Sequence, residues 1–120
     1  MSELKLDLVA FDRTGEWGEV VLLEHGWTGP AEPRLRALQD RLYDCLDLIL
    51  RGGFAAEYPQ SVGNWIRVRV RCDPAYQHDV DQFIGRFARA VRAFPDWSAT
   101  GSAYVSDIRF SVNDRALALD

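Results

Sequence analysis

The strongest constraint on the fold is a stretch of alternating apolar and arginine residues at Trp65–Cys72. Side chains on a β-strand point alternately to the two faces of its sheet, so the alternation separates two sets of residues. The apolar set is Ile66, Val68 and Val70, and the arginine set is Arg67, Arg69 and Arg71. This pattern predicts a sheet with one face in a core and the other open to solvent, where it carries a row of guanidinium groups.

The remaining elements follow from the spacing of apolar residues along the chain. Alternation predicts further strands over 4–11, 17–24 and 104–112, and the first two form a hairpin. Apolar residues at helical spacing predict one helix between Pro33 and Gly52 and another between Pro74 and Pro95. The order β-β-α-β-α-β with right-handed crossovers predicts a two-layer α+β fold, in which two helices cover one face of a mixed four-stranded sheet.

Length and composition limit the domain organisation and the class of partner. The 120 residues are 48% hydrophobic, which predicts a single domain over 1–120 whose last residues, 113–120, are a loose tail. A net charge of -4 argues against a general nucleic-acid binder, because such proteins need a positive surface. No apolar stretch approaches the length that spans a bilayer and no signal peptide is recognisable, so we expect a cytoplasmic protein without a membrane partner.

The open face of the sheet is the first candidate binding surface. The predicted registers place Arg109 beside the three arginines of the 65–72 strand, together with four apolar residues: Val9, Phe11, Val21 and Leu23. Arginine beside apolar side chains is typical of protein interfaces. The alternatives are a solvated face whose arginines pair with Asp7 and Asp107, and the interface of a homodimer.

An acidic helix face is the second candidate. Asp40, Asp44 and Asp47 recur at near-helical spacing, so they line one side of the first helix. The ordinary explanation is a solvated face, and the functional alternative is recognition of a basic partner.

A third candidate lies where the strands feed into the helices, because the carboxyl ends of parallel strands and the helix N-termini share one rim. The residues placed there are His25, Trp27, Cys72, Asp73, Tyr76 and His78. A histidine beside a cysteine suggests thiol chemistry, with His25 lowering the pKa of Cys72. Two observations oppose it: Asp73 is explained as a helix N-cap, and Cys72 continues the inward-facing series of its strand.

The sequence assigns no catalytic residue, metal ligand or cofactor. The two histidines are more than fifty positions apart, and no cysteine pair has the spacing of a zinc site. Gly52-Gly53 closes a helix, whereas a phosphate-binding loop opens one.

Short motifs over about 7–94 resemble a family of small uncharacterised bacterial cytoplasmic proteins, classed as a domain of unknown function. The motifs are Glu24-His25-x-Trp27, Leu38-Gln39-x-x-Leu42-Tyr43, Leu50-x-Gly52-Gly53, Glu57-Tyr58-Pro59-x-x-x-Gly63 and Ile66-x-Val68-x-Val70-x-Cys72. In its compact acidic character the chain is also similar to the immunity proteins that neutralise bacterial toxins. The resemblance implies no catalytic residues.

The expected function is therefore that of a non-enzymatic bacterial interaction protein, with an immunity-type inhibitor of a toxin as its most concrete form. The contact surfaces would be the arginine face and the acidic helix. The alternatives are a small-ligand domain or enzyme acting at the rim, and a homodimer of unknown function.

Overall fold

The computed structural model describes residues 8–94, 97 and 102–116. Its strands are β1 (Leu8–Phe11), β2 (Trp17–Glu24), β3 (Trp65–Cys72), β4 (Asp107–Val112) and β5 (Arg115–Ala116). Its α-helices are α1 (Ala31–Leu50), α2 (Gly53–Glu57) and α3 (Gln77–Arg92), and two 3-10 turns are formed by Pro59–Ser61 and Pro74–Tyr76.

The strands form one mixed sheet in the order β1-β2-β3-β4-β5. The pairs β2–β3 and β3–β4 are parallel, whereas the outer pairs β1–β2 and β4–β5 are antiparallel. The predicted α+β fold with an open mixed sheet is confirmed. The short β5 lies in the segment predicted as a loose tail: Arg115–Ala116 pair with β4, and residues 117–120 lie outside the described residues.

The strand registers decide which residues share a face. Val68 of β3 lies opposite Val20 of β2 and Phe110 of β4, and all three are buried in one hydrophobic cluster. Arg67 lies opposite Glu19 and Arg109, which belong to the other face of the sheet because side chains alternate along each strand. The prediction that β3 separates a core face from an arginine face is therefore confirmed.

The core lies between the sheet and both long helices. The helix residues in it are Leu38, Leu42, Cys45, Leu46 and Ile49 of α1 and Val80, Ile84, Phe87, Ala88 and Val91 of α3. They recur at helical spacing and share one cluster with the inward-facing residues of β2, β3 and β4. Both helices therefore cover the same face, and no helix formed by the described residues lies on the arginine face.

The connection after α1 has more structure than its sequence predicts. Gly52 has a φ of 92°, a left-handed conformation that favours glycine, and it separates α1 from α2. The short α2 directs Phe54 into the core, where it is 1% exposed. Phe54 packs against Tyr58 and Phe11, with ring centroids 5.0 Å and 6.2 Å apart.

The phase of β1 is opposite to the predicted one. Leu8 and Ala10 pair with Val21 and Glu19 and so share the arginine face, whereas Val9 and Phe11 pack against the core. Phe11 lies opposite Gly18, and a Cβ at Gly18 would come within 2.9 Å of its ring. The bare glycine leaves room for the ring on the helix side, which is why Phe11 is directed inward.

Candidate functional site

The arginine face carries a cluster of two indoles and two guanidinium groups, here called the Trp–Arg cluster: Trp17, Trp65, Arg67 and Arg109. Trp17 and Trp65 are the first residues of β2 and β3 and lie side by side in the register. Their rings stack with centroids 5.0 Å apart and planes 15° apart. The two strands thus place an aromatic platform at one end of the open face.

Both arginines of the cluster lie on this platform. The guanidinium carbon of Arg109 is 4.0 Å from the Trp65 ring centroid. That of Arg67 is 5.0 Å from the Trp17 centroid and 5.5 Å from the Trp65 centroid. Cations over an indole face are attracted by its quadrupole, and planar guanidinium groups also stack on it. The platform therefore restricts the orientation of both charged groups.

The guanidinium groups of the cluster retain hydrogen-bonding capacity. Arg109 donates from Nε to Asp107 at 3.2 Å, and its side chain is 55% exposed. Arg67 lies 3.9 Å from a Glu19 oxygen, which is too long for a hydrogen bond, and its side chain is 26% exposed. Within the described parts of the chain, these two groups have no other hydrogen-bonding or ionic partner, so several of their N–H donors are available to a ligand.

Arg69 has a different environment, although sequence analysis groups it with the binding arginines. Its side chain is 11% exposed and donates two hydrogen bonds to the Glu19 carboxylate, at 3.1 Å and 3.3 Å. It also donates to the backbone oxygen of Asn113, in the turn between β4 and β5. Arg69 therefore joins β2, β3 and this turn, and its role in the monomer is structural.

Arg71 lies at the other end of β3 from the indoles. Its guanidinium is 3.7 Å from Asp114, and the Arg71 side chain is 41% exposed. Asp114 itself is almost fully exposed, so this pair contributes little to stability. Arg71 remains at the surface and extends the positive face beyond the Trp–Arg cluster.

The arginines of the open face do pair with carboxylates, but not all with the partners that the sequence predicts. Arg109 pairs with Asp107 of its own strand, and Arg69 pairs with Glu19, which sequence analysis does not single out. Asp7 lies outside the described residues. The residues missed from the sequence are Glu19, Trp17 and Trp65 as members of the face. The sequence contains a signal for all three: Trp65 shares the alternation phase of the arginines, and Trp17 and Glu19 share that of Val21 and Leu23, which are predicted on the open face.

The acidic residues of α1 lie far from this cluster in the fold. Asp40, Asp44 and Asp47 are all exposed, and Asp47 pairs with Arg51 at 2.9 Å. The core-facing residues of α1 contact the sheet, so the acidic side points away from it. One flat partner surface cannot contact this side and the open sheet face together, because they lie on opposite sides of the two layers.

At the rim, the predicted residues are brought together but bind one another. Asp73 accepts a hydrogen bond from the backbone N–H of Gly26 at 2.8 Å and lies 3.2 Å from Nδ1 of His25. These two interactions hold the pKa of Asp73 below its usual value. The sequence predicts that the Asp73 side chain caps the following helical turn, and this prediction is wrong. The side chain makes no capping hydrogen bond and instead binds the loop after β2.

The aromatic residues of the rim also close the loop. Trp27 is 6% exposed and donates from its indole nitrogen to Glu24 at 3.2 Å. It packs edge-on against Tyr76, whose hydroxyl donates to the Gly29 carbonyl at 2.8 Å. His78 is exposed in the first turn of α3, and no hydrogen bond or ion pair joins it to the rim in the part of the chain that is described.

Cys72 faces the core and is 3% exposed. Burial raises the pKa of its thiol, against a smaller lowering by the Asn113 side chain, whose nitrogen lies 3.7 Å from the sulfur. The His25 nitrogen is directed to Asp73 rather than to this sulfur. Burial also raises the pKa of Cys45, to about 12. Neither thiol has the surroundings of a nucleophile.

We expect both thiols of the native protein to resist a maleimide reagent at neutral pH, because both are buried and their pKa values are raised. Mass spectrometry should show no modification on the timescale of minutes and two modifications per chain in denaturing urea. The Cys72→Ser variant identifies which thiol responds. Rapid labelling of Cys72 in the folded protein would contradict this expectation and support the hypothesis of a reactive thiol at the rim.

Other chemistries find no support in the geometry of the described residues. Across these residues, no three side chains of the types His, Cys, Asp and Glu are grouped so that they could hold a metal ion. None of the helices described is both long and apolar enough to cross a membrane.

No protein-family model matches the chain, and no curated protein or solved structure matches it either.

Proposed function

We propose that this protein is a non-enzymatic interaction domain that binds a partner protein through the open face of its sheet. The observation that carries the proposal is the Trp–Arg cluster on the face that the helices leave uncovered. Tryptophan and arginine dominate the binding energy of protein interfaces, because they combine a large apolar area with directed hydrogen bonds. The open sheet face presents both residue types side by side.

The rim supports an enzymatic role less well. Its polar groups hydrogen-bond one another, and its cysteine is buried in the core. A catalytic constellation needs groups that are free to reach a substrate. The Trp–Arg cluster, in contrast, has guanidinium donors without a hydrogen-bond acceptor among the described residues.

A partner other than a second copy of the chain is favoured by charge. A symmetric dimer through this face would place the same surface on both sides of the interface. Such an interface would bring together two copies of a surface on which Arg67, Arg71 and Arg109 are concentrated, and like charge on both sides of an interface opposes association.

The most concrete form of this proposal is an immunity-type inhibitor, which neutralises a bacterial toxin by covering a site on it. The small size and acidic character of the chain are consistent with this form. The proteins encoded beside its gene are the natural partners to test.

The proposal is tested by hydroxyl-radical footprinting of the protein alone and in complex with a purified partner. We expect oxidation of Trp17 and Trp65 to fall several-fold in the complex, because the partner would exclude solvent from the open face. Phe94 provides a matched control, since it is 60% exposed and follows α3 in the helix layer. Trp27 is buried in the free protein and should not change.

Two results would overturn the proposal. One is protection of the helix layer while both indoles oxidise as in the free protein. The other is concentration-dependent protection of the indoles in the protein alone, with a dimer mass by light scattering, which would show that the face binds a second copy.

A further inference from the structure

We propose that the Trp–Arg cluster recognises an acidic peptide segment, whose carboxylates are held by the guanidinium groups of Arg67 and Arg109, the two arginines that lie against Trp65. This inference rests on the proposed function and assigns the chemistry that the open face selects. It follows from the hydrogen-bonding state of the two arginines and from their support by the indoles.

The arrangement of the two arginines is that of a preformed anion site. Arg67 and Arg109 occupy directly opposed positions of β3 and β4, strands that pair in parallel. Neighbouring strands in a sheet are about 4.8 Å apart, so both guanidinium groups can reach one carboxylate or two successive acidic side chains. Arginine binds carboxylates through paired N–H donors.

The indoles make these arginines more selective than mobile surface arginines. Arg109 stacks on Trp65 at 4.0 Å, and Arg67 spans Trp65 and Trp17. Restricting a long side chain before binding lowers the entropy lost in the complex. The indoles also shield part of each guanidinium from water, and less competition from water strengthens the hydrogen bonds that its edge donates to a ligand.

Nearby carboxylates leave part of the positive charge available. Glu19 is bound by Arg69, and Asp107 accepts from Nε of Arg109, which leaves the terminal nitrogens of Arg109 for a ligand. The overall charge of -4 disfavours acidic ligands at long range. That field is screened beyond about 8 Å at physiological ionic strength, so the local arginines decide binding once contact is made.

The apolar residues of the same face define the remainder of the ligand. Leu8 and Leu23 are 54% and 38% exposed, and both lie on the arginine face. Leu8 lies opposite Val21, two residues along β2 from the Glu19 that lies opposite Arg67. An extended segment that crosses the sheet diagonally from the Trp–Arg cluster to Leu8 would place acidic residues at one end and apolar residues at the other. A ligand that makes both charged and apolar contacts over this distance is most simply a segment of a protein.

The experiment uses a fluorescent octaglutamate peptide, with an octathymidine oligonucleotide as the phosphate probe and octalysine as the charge control. Binding is followed by fluorescence anisotropy at physiological ionic strength and by the ¹⁵N-indole signals of the four tryptophans. We expect octaglutamate to shift the signals of Trp17 and Trp65 and not that of Trp27, whose nitrogen is bound to Glu24.

The Arg67→Gln/Arg109→Gln variant should bind octaglutamate at least tenfold more weakly. The Arg86→Gln/Arg89→Gln variant, which removes the same charge from the exposed side of α3, should bind it as the wild type does. The single Arg109→Gln variant serves where the double variant does not fold, and it should show at least a threefold loss.

Three outcomes would overturn the inference. They are unshifted Trp17 and Trp65 signals at saturating octaglutamate, equal losses in the two double variants, and tighter binding of octathymidine than of octaglutamate at the same indoles. The last would assign the site to phosphate groups. A partner protein that still protects both indoles in the footprint would leave the proposed function standing and remove only the acidic-peptide chemistry.

Discussion

Replacing Arg69 with methionine is expected to lower the free energy of unfolding by about 3–5 kcal/mol, the usual effect of removing one member of a buried ion pair. The Arg69 and Glu19 side chains are 11% and 15% exposed, and two hydrogen bonds join them. The substitution leaves the Glu19 carboxylate largely buried beside a more distant Arg67. It also removes the donor to the Asn113 carbonyl.

Urea denaturation followed by circular dichroism measures this effect. Arg109→Met is the matched control, since Arg109 lies on the same face with 55% of its side chain exposed, and it should cost less than about 1 kcal/mol.

A double substitution separates the buried charge from the loss of packing. Glu19→Met combined with Arg69→Met should recover most of the stability that Arg69→Met loses, because no unpaired carboxylate remains. Equal, small losses for Arg69→Met and Arg109→Met would show that Arg69 is no more structural than its neighbours.

The part of the fold that the sequence predicts best is the part governed by local periodicity. The alternation at 65–72 predicts the two faces of β3, and the structure places Val68 and Arg67 accordingly. Helical spacing likewise predicts the buried sides of α1 and α3. In all three elements the repeat of apolar residues along the chain is enough to tell which side chains are buried, so the prediction does not depend on contacts with distant parts of the chain.

The phase of β1 depends on tertiary packing. Both of its alternating sets contain apolar residues, so periodicity alone does not decide which set is buried. The decision comes from Gly18 on β2 and Phe54 on α2, which together make room for Phe11. Phe54 is 43 positions away from Phe11 and lies between the helix predicted before Gly52 and the strand predicted at 65–72, where periodicity predicts no element.

The candidate site shows the same division. Its arginines follow from the alternation, but their different roles depend on partners remote in the chain. Arg69 is structural because Glu19 and Asn113 lie 50 and 44 positions away and meet it in the fold. At the rim, proximity is predicted correctly, whereas the hydrogen bond from Gly26 to Asp73 depends on a loop conformation that no local pattern specifies.

Charge reversal at the Trp–Arg cluster should have the largest effect on function. In the Arg67→Glu/Arg109→Glu variant, two anchored donors become acceptors on the same platform. We expect the complex with the partner protein to weaken at least 100-fold, which corresponds to about 2.8 kcal/mol. Residues of this kind at the centre of an interface commonly contribute 2 kcal/mol or more each.

Two controls make that loss specific. Arg86→Glu/Arg89→Glu makes the same change of charge on the exposed side of α3 and should keep the affinity within about threefold. Circular dichroism and urea denaturation show whether each variant is folded under the binding conditions. Arg109→Glu alone, which leaves Arg67 on the platform, serves if the double variant is unstable.

The dissociation constant of the partner complex, measured by calorimetry for the wild type and these two double variants, tests the central claim most directly. Binding through the uncovered sheet face predicts a loss of at least 100-fold for Arg67→Glu/Arg109→Glu and an unchanged value for Arg86→Glu/Arg89→Glu. A folded Arg67→Glu/Arg109→Glu protein that binds its partner as tightly as the wild type would contradict it.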